Sequence, residues 1–225
     1  MTTVVGSPQV LATVELLGAL TYAQLRTFEV TAVAIRHAPE VRAAEVVAEF
    51  ADREHGSYLL LRDRLHELTD LPEPAMERQK RHVDVFFNNL PITDWLSACT
   101  YFAIGLPMAA DFARAVAPAL HPDTAAVVLR ALAERDAFEE YASQQVCTAV
   151  GEDPVRRERS RRLAAEITGS ALTGFQGAVN DTDALLVLLE QLEENAGQDV
   201  LRHTAVALLG QHRRRMVAIG VDTPE

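Results

Sequence analysis

Apolar residues recur at three- and four-residue steps along almost the whole chain, and proline or glycine marks nearly every interruption. Ser7-Pro8 reads as a cap followed by proline in a first helical turn. Leu11, Val14, Leu17, Leu25 and Phe28 then continue one stripe towards His37, and His37-Ala38-Pro39 breaks it. The same pattern predicts helices over about 39–68, 75–88, 94–120, 123–150, 154–179, 180–195 and 198–219. Pro107 falls inside the 94–120 run and predicts a kink or local unwinding there. Gly169, Gly174 and Gly177 predict close approach by a neighbouring element. No segment shows the alternation of a half-buried strand. Alanine and leucine are abundant and aromatics make up only 6% of the chain, which favours helix further. The expected fold is all-α and one domain, with a core bundle over about 8–150 and additional helices over about 154–220.

Charge narrows the partners. The chain carries 32 acidic and 21 basic residues, a formal net charge of −11, which disfavours broad binding to nucleic acid or anionic lipid. Two basic runs stand against that background: Arg156 to Arg162 and His212 to Arg215. Either is a phosphate-contacting surface or a solvated helix face, and Glu152, Asp153, Glu158 and Glu166 nearby favour the second. No uninterrupted apolar run reaches the length of a membrane span, and Met1 to Val10 lacks the basic start and apolar core of a signal peptide. A cytoplasmic protein is expected. Cys99 and Cys147 sit in apolar helical surroundings and are read as buried structural thiols.

Four acids break the apolar stripes. Glu29 lies in line with Tyr22, Leu25, Ala32 and Val33; Glu54 with Val47, Phe50, Ala51, Tyr58 and Leu61. Asp111 lies in line with Ile104, Pro107, Met108 and Ala115; Glu134 with Val127, Ala131, Phe138 and Tyr141. Each is expected to point towards a core. A buried unpaired carboxylate costs several kcal/mol or surrenders its charge. Four converging acids therefore need a cation, arginine partners or protons. Glu29 and Glu54 lie on consecutive long helices, as do Asp111 and Glu134. One acid per helix in two hairpins is the arrangement of a carboxylate-bridged dinuclear metal site in a four-helix bundle. Such a site also takes a histidine three residues after two of its acids, and here Ser57 and Ala137 stand at those positions. His55 is adjacent to Glu54 and points about 100° away. Carboxylates alone suit Mg²⁺, Mn²⁺ or Ca²⁺ better than an oxygen-activating iron. The alternative is a set of buried ion pairs, with Arg114 three residues after Asp111 and Arg130 four before Glu134 as the cations.

The runs ELLGALTYAQLRTFE, REHGSYLLLRDRLHEL and QHRRRMVAIG resemble actinobacterial ferritin-like proteins related to the tRNA-(methylthio-isopentenyl-adenosine) hydroxylase. The resemblance covers about residues 13–220 and implies a ferritin-like bundle. That hydroxylase family activates O₂ at a non-haem diiron centre, and Glu29, Glu54, Asp111 and Glu134 match its carboxylate ligands. Ser57 and Ala137 fall where its pattern expects histidines. The resemblance thus implies a dinuclear Fe or Mn site, and the missing imidazoles imply altered metal use or none. Tyr58 and Tyr141, with Ser57, Arg114 and Arg130, are the expected neighbours of the acids. A homodimer is expected on the same family grounds, with no membrane and no nucleic-acid partner. Two functions follow: a non-catalytic ferritin-like protein acting through a surface or a small-molecule cavity, or a hydroxylase-type oxidoreductase with an unusual ligand set.

Overall fold

A computed structural model describes residues 7–133, 135–151, 153–181, 184–189 and 197–222. Glu134 and Glu152, and the surroundings of Gly177, lie outside the described residues. What is described is helical, without a strand, as the periodicity requires.

Helix α1 (Pro8–Ala34) starts where Ser7 caps it, its hydroxyl accepting from the Val10 amide at 3.3 Å, and ends in a 3₁₀ turn over Ile35–His37. Helix α2 (Val41–Leu68) returns antiparallel to it. Helix α3 (Pro72–Phe87) then lies across α1. Asp94 and Ser97 form a reciprocal capping box that opens the next long helix. That helix runs from Trp95 to Ala119 in four pieces: α4 (Trp95–Thr100), a π-helical turn (Tyr101–Gly105), α5 (Leu106–Val116) and a 3₁₀ turn (Ala117–Ala119). The unwinding expected at Pro107 takes the form of that π turn, and it sits just before the proline. Leu106 donates to the Tyr101 carbonyl, five residues back, so the helix widens as it reaches a residue that has no amide to donate. The Trp95–Ala119 stretch is long and apolar enough to cross a membrane, but 72% of its most apolar window is buried inside the protein, as a core helix requires.

The single helix expected over 123–150 is two: α6 (Pro122–Ala131) and α7 (Asp136–Val150). The break between them brings Arg135 to the cap position of α7. Helices α8 (Pro154–Asp181), α9 (Ala184–Leu189) and α10 (Gly197–Ala218) complete the described chain. Helix α8 packs on α3 and the π turn, and α10 packs on α5 and α9. Of the α8 glycines, Gly174 makes the close approach: a Cβ there would stand 2.9 Å from the His82 carbonyl oxygen of α3, whereas Gly169 has open space.

The buried apolar residues form two clusters. One gathers the C-terminal half of α1 and the N-terminal half of α2 around Phe50, which stacks on Phe138 at 3.8 Å between ring centroids. The other gathers the opposite halves of the same two helices around Leu17, Leu61 and Leu65. Between the clusters, at Gln24 of α1 and Glu54 of α2, the core is polar.

Candidate functional site

Glu54 is the most deeply buried acid described, 1% exposed. Its stripe is the true core face of α2: Val47, Phe50, Ala51 and Leu61 are all buried beside it. The charge is met by Arg135, whose Nη2 donates to Glu54 Oε2 at 2.7 Å. The same Nη2 donates to Gln24 Oε1 at 2.8 Å, and Gln24 Nε2 donates back to Glu54 Oε2 at 2.7 Å. Gln24 also reaches the Glu54 backbone carbonyl at 3.1 Å. Three side chains from α1, α2 and the start of α7 thus close a triangle in the core. Burial raises the Glu54 carboxyl above its ordinary value, and the Arg135 charge and the Gln24 and Arg135 hydrogen bonds pull against it.

Asp111 lies at an outer edge of the bundle, its side chain 11% exposed, and holds two arginines. Arg114 Nη1 donates to Oδ1 at 3.2 Å, one turn along α5, and Arg215 of α10 donates to Oδ2. Glu139 of α7 belongs to the same edge. Burial raises its carboxyl, and the charges of Arg135, Arg215 and Arg114 oppose that. Its Oε1 is buried without a hydrogen-bond partner among the described residues, as are Gln211 Oε1 and Arg215 Nη1.

The remaining expected residues go elsewhere. Glu29 does not point into the core: its side chain is 58% exposed and pairs with Arg26 at 3.0 Å. The core face of α1 is instead Leu17, Thr21, Gln24, Thr27 and Thr31, while Val33 of the apolar stripe is exposed. Arg130 is exposed on the last turn of α6, and Ala137 is exposed on the first turn of α7. Ser57 and Tyr58 are half-buried on α2; the Tyr58 ring stacks near His55 and lies under the Arg62 guanidinium, 5.9 Å from it. Tyr141 is half-buried and its ring lies 6.3 Å from that of Phe138. Cys99 is buried, with its thiol pushed up to about 12, but Cys147 is exposed, contrary to its apolar sequence surroundings.

The two basic runs differ as well. In the first, Arg161 and Arg162 both pair with Glu158, Arg159 pairs with Asp94 and Arg156 with Asp153. The second is partly a core brace: Arg215 holds Asp111, and His212 is buried against Thr168 Oγ1 at 2.7 Å. Thr168 gives its own proton to the Ala164 carbonyl, so His212 Nε2 is the donor in that contact. Burial, with Arg215 nearby, lowers the His212 pKa and favours the neutral ring.

The three described acids of the expected set, Glu29, Glu54 and Asp111, are not gathered as a dinuclear metal would need. Among the described residues no three histidines, cysteines or acids gather into a metal-holding group. Glu29 faces solvent, and Glu54 and Asp111 each already carry a guanidinium where an ion would bind.

Next to the Glu54 triangle lies a cavity of about 240 Å³ between α1, α3, the π turn, α5 and α8–α10. Leu16, Leu20, Phe86, Phe87, Met108 and Phe112 give it an apolar wall. Leu172 and Leu209 also line it and remain 39% and 38% exposed, which marks the mouth between α8 and α10. Thr27 and Tyr101 form the end nearest Glu54 and Arg135, whose charges both act on the Tyr101 phenol. The π turn carries Tyr101 there, and Gly105 makes room for its ring: a Cβ at Gly105 would stand 2.7 Å from Tyr101 Cδ2. Arg135 and Gln24 are absent from the set the sequence suggests. The acids Asp136 and Glu139, suited to a first helical turn, were the signal that a new helix starts after Arg135.

A family model described as a ferritin-like domain of actinomycetes matches residues 9–191. No curated protein matches the chain.

Proposed function

Because the chain belongs to the ferritin-like domain family of actinomycetes, we propose that it is a metal-independent member that binds a small apolar molecule in the cavity beside Glu54. The observation that carries this reading is the cavity itself. At about 240 Å³ it exceeds the roughly 150 Å³ that suffices to hold benzene in an apolar core, and its wall is built by side chains from α1, α3, α5 and α8–α10. The Arg135–Glu54–Gln24 triangle supports the metal-independent half: it neutralises the central acid without an ion.

Binding and metal loading test the two halves separately. Isothermal titration with naphthalene is expected to give a saturable site of about one molecule per chain, lost when Ala23→Leu fills the wall. Anaerobic Fe²⁺ titration is expected to show no stoichiometric uptake, and chelator is expected to leave the melting temperature unchanged. Uptake of about two metals per chain, lost in Glu54→Ala, would replace this reading with an oxygen-activating centre of the kind the tRNA hydroxylases use.

A further inference from the structure

The charge on the cavity wall restricts what can enter. Among the described residues that line it, neither lysine nor arginine appears, and the ionisable ones are Glu15, His82 and Tyr101. Glu15 is held in place by Arg78, whose Nε donates to it at 2.8 Å, and by Gln79 Nε2 at 2.5 Å. Its carboxylate therefore stays at the wall with its charge already paired, and the pair leaves no free cation for an anionic head group. His82 Nε2 accepts from Arg81 Nε at 3.1 Å. A carboxylate or phosphate head would lose its hydration here without meeting a cation, which costs several kcal/mol.

The inner end has a different chemistry. Tyr101 is 1% exposed and has the Thr27 hydroxyl beside it. Thr27 gives its only proton to the Ala23 carbonyl at 2.9 Å. A hydroxyl has one proton and two acceptor sites, so the proton left at this end belongs to Tyr101, and both oxygens keep acceptor capacity. Burial holds the phenol above its ordinary pKa, so it remains a donor throughout the physiological range. The space holds roughly nine or ten heavy atoms on the scale of the benzene cavity.

We infer that the cavity takes a neutral, oxygen-bearing apolar molecule of the class of medium-chain alcohols and ketones. Its oxygen meets the Tyr101 hydroxyl beside Thr27, and its body lies along Leu20, Phe86 and Phe112. This assignment rests on the proposal that the cavity is a binding site. It adds the head group and the exclusion of the corresponding carboxylates.

The test compares 1-octanol, octanoate and naphthalene on the full chain at pH 7.5 by isothermal titration, in the wild type and in Tyr101→Phe. Octanol is expected to bind at least about tenfold more tightly than octanoate, as an unpaired buried charge demands. Tyr101→Phe is expected to weaken octanol about fivefold to tenfold, the worth of one net hydrogen bond, and to leave naphthalene within about twofold. Octanoate binding as tightly as octanol overturns the inference, and so does a Tyr101→Phe loss equal for octanol and naphthalene; the cavity survives either result. Absence of naphthalene binding to the wild type sinks the cavity reading itself. The octanol-to-octanoate ratio needs no variant, so it decides the matter even if Tyr101→Phe does not fold.

Discussion

The Glu54 centre and the Asp111–Glu139 edge solve the same problem, an inward-facing acid on a bundle helix, with different completeness. At the centre, one guanidinium and one carboxamide close on one carboxylate, the acid is 1% exposed, and Arg135 Nε alone of the three side chains' polar atoms is buried without a hydrogen-bond partner among the described residues. At the edge, three arginines serve two acids, yet Glu139 Oε1, Gln211 Oε1 and Arg215 Nη1 stay buried without a hydrogen-bond partner among the described residues. The difference shows where geometry is fixed. The centre joins α1, α2 and α7 at the level where the two apolar clusters of the hairpin meet, so its register is set from both sides. The edge depends on α10, which reaches the bundle through α5, α9 and the π turn.

Breaking the centre is expected to have the largest effect. Arg135→Ala leaves the Glu54 charge buried and unpaired and is expected to cost about 3–5 kcal/mol in urea unfolding. Replacing both partners with apolar residues, Arg135→Met with Glu54→Leu, is expected to recover most of that loss, because removing the whole pair removes its desolvation as well. A cost under about 1 kcal/mol for Arg135→Ala would show that Glu54 is hydrated or takes up a proton once the guanidinium is gone. At the edge, Arg215→Ala is expected to cost less, about 1.5–2 kcal/mol, because Asp111 keeps Arg114 and some contact with solvent. An Arg215→Ala loss equal to that of Arg135→Ala would erase the contrast between the two regions.

The same contrast explains what the sequence discloses. Glu54 is legible because its stripe on α2 is the buried one. Glu29 is misread because the core face of α1 is rich in threonine. Thr21, Thr27 and Thr31 each return their hydroxyl proton to a carbonyl four residues back, at 2.6, 2.9 and 2.8 Å, so they bury at little cost while Val33 faces solvent. An apolar stripe cannot register that exchange. Arg135 is hidden for another reason. A helix read as continuous still places Arg135 four residues after Ala131 and three before Phe138, on the buried face, but a pattern searched for inward acids passes over an inward cation. The bundle itself needs no such detail, since capping residues and prolines fix most helix ends. The cavity was illegible, because its walls come from seven separate elements whose docking no local pattern encodes.

Glu139→Gln sharpens the comparison from the other side, with the smallest effect and the opposite sign. Burial raises the Glu139 carboxyl above 4.5 and outweighs the opposing arginine charges. The folded state therefore holds the proton at a pH where the unfolded chain has released it. Stability is greater below the ordinary carboxylate range and falls as pH rises through the raised value. Glutamine keeps the shape without the charge, so Glu139→Gln is expected to be more stable than the wild type at pH 7, by less than about 1 kcal/mol, the scale of one imperfectly satisfied buried polar group. The advantage is expected to shrink as pH drops towards 4.5, where the wild-type carboxyl also carries its proton. Urea midpoints at a series of pH values check both sign and slope. If Glu139→Gln were less stable at pH 7, the arginines would be outweighing burial, and the edge would be as well paired as the centre.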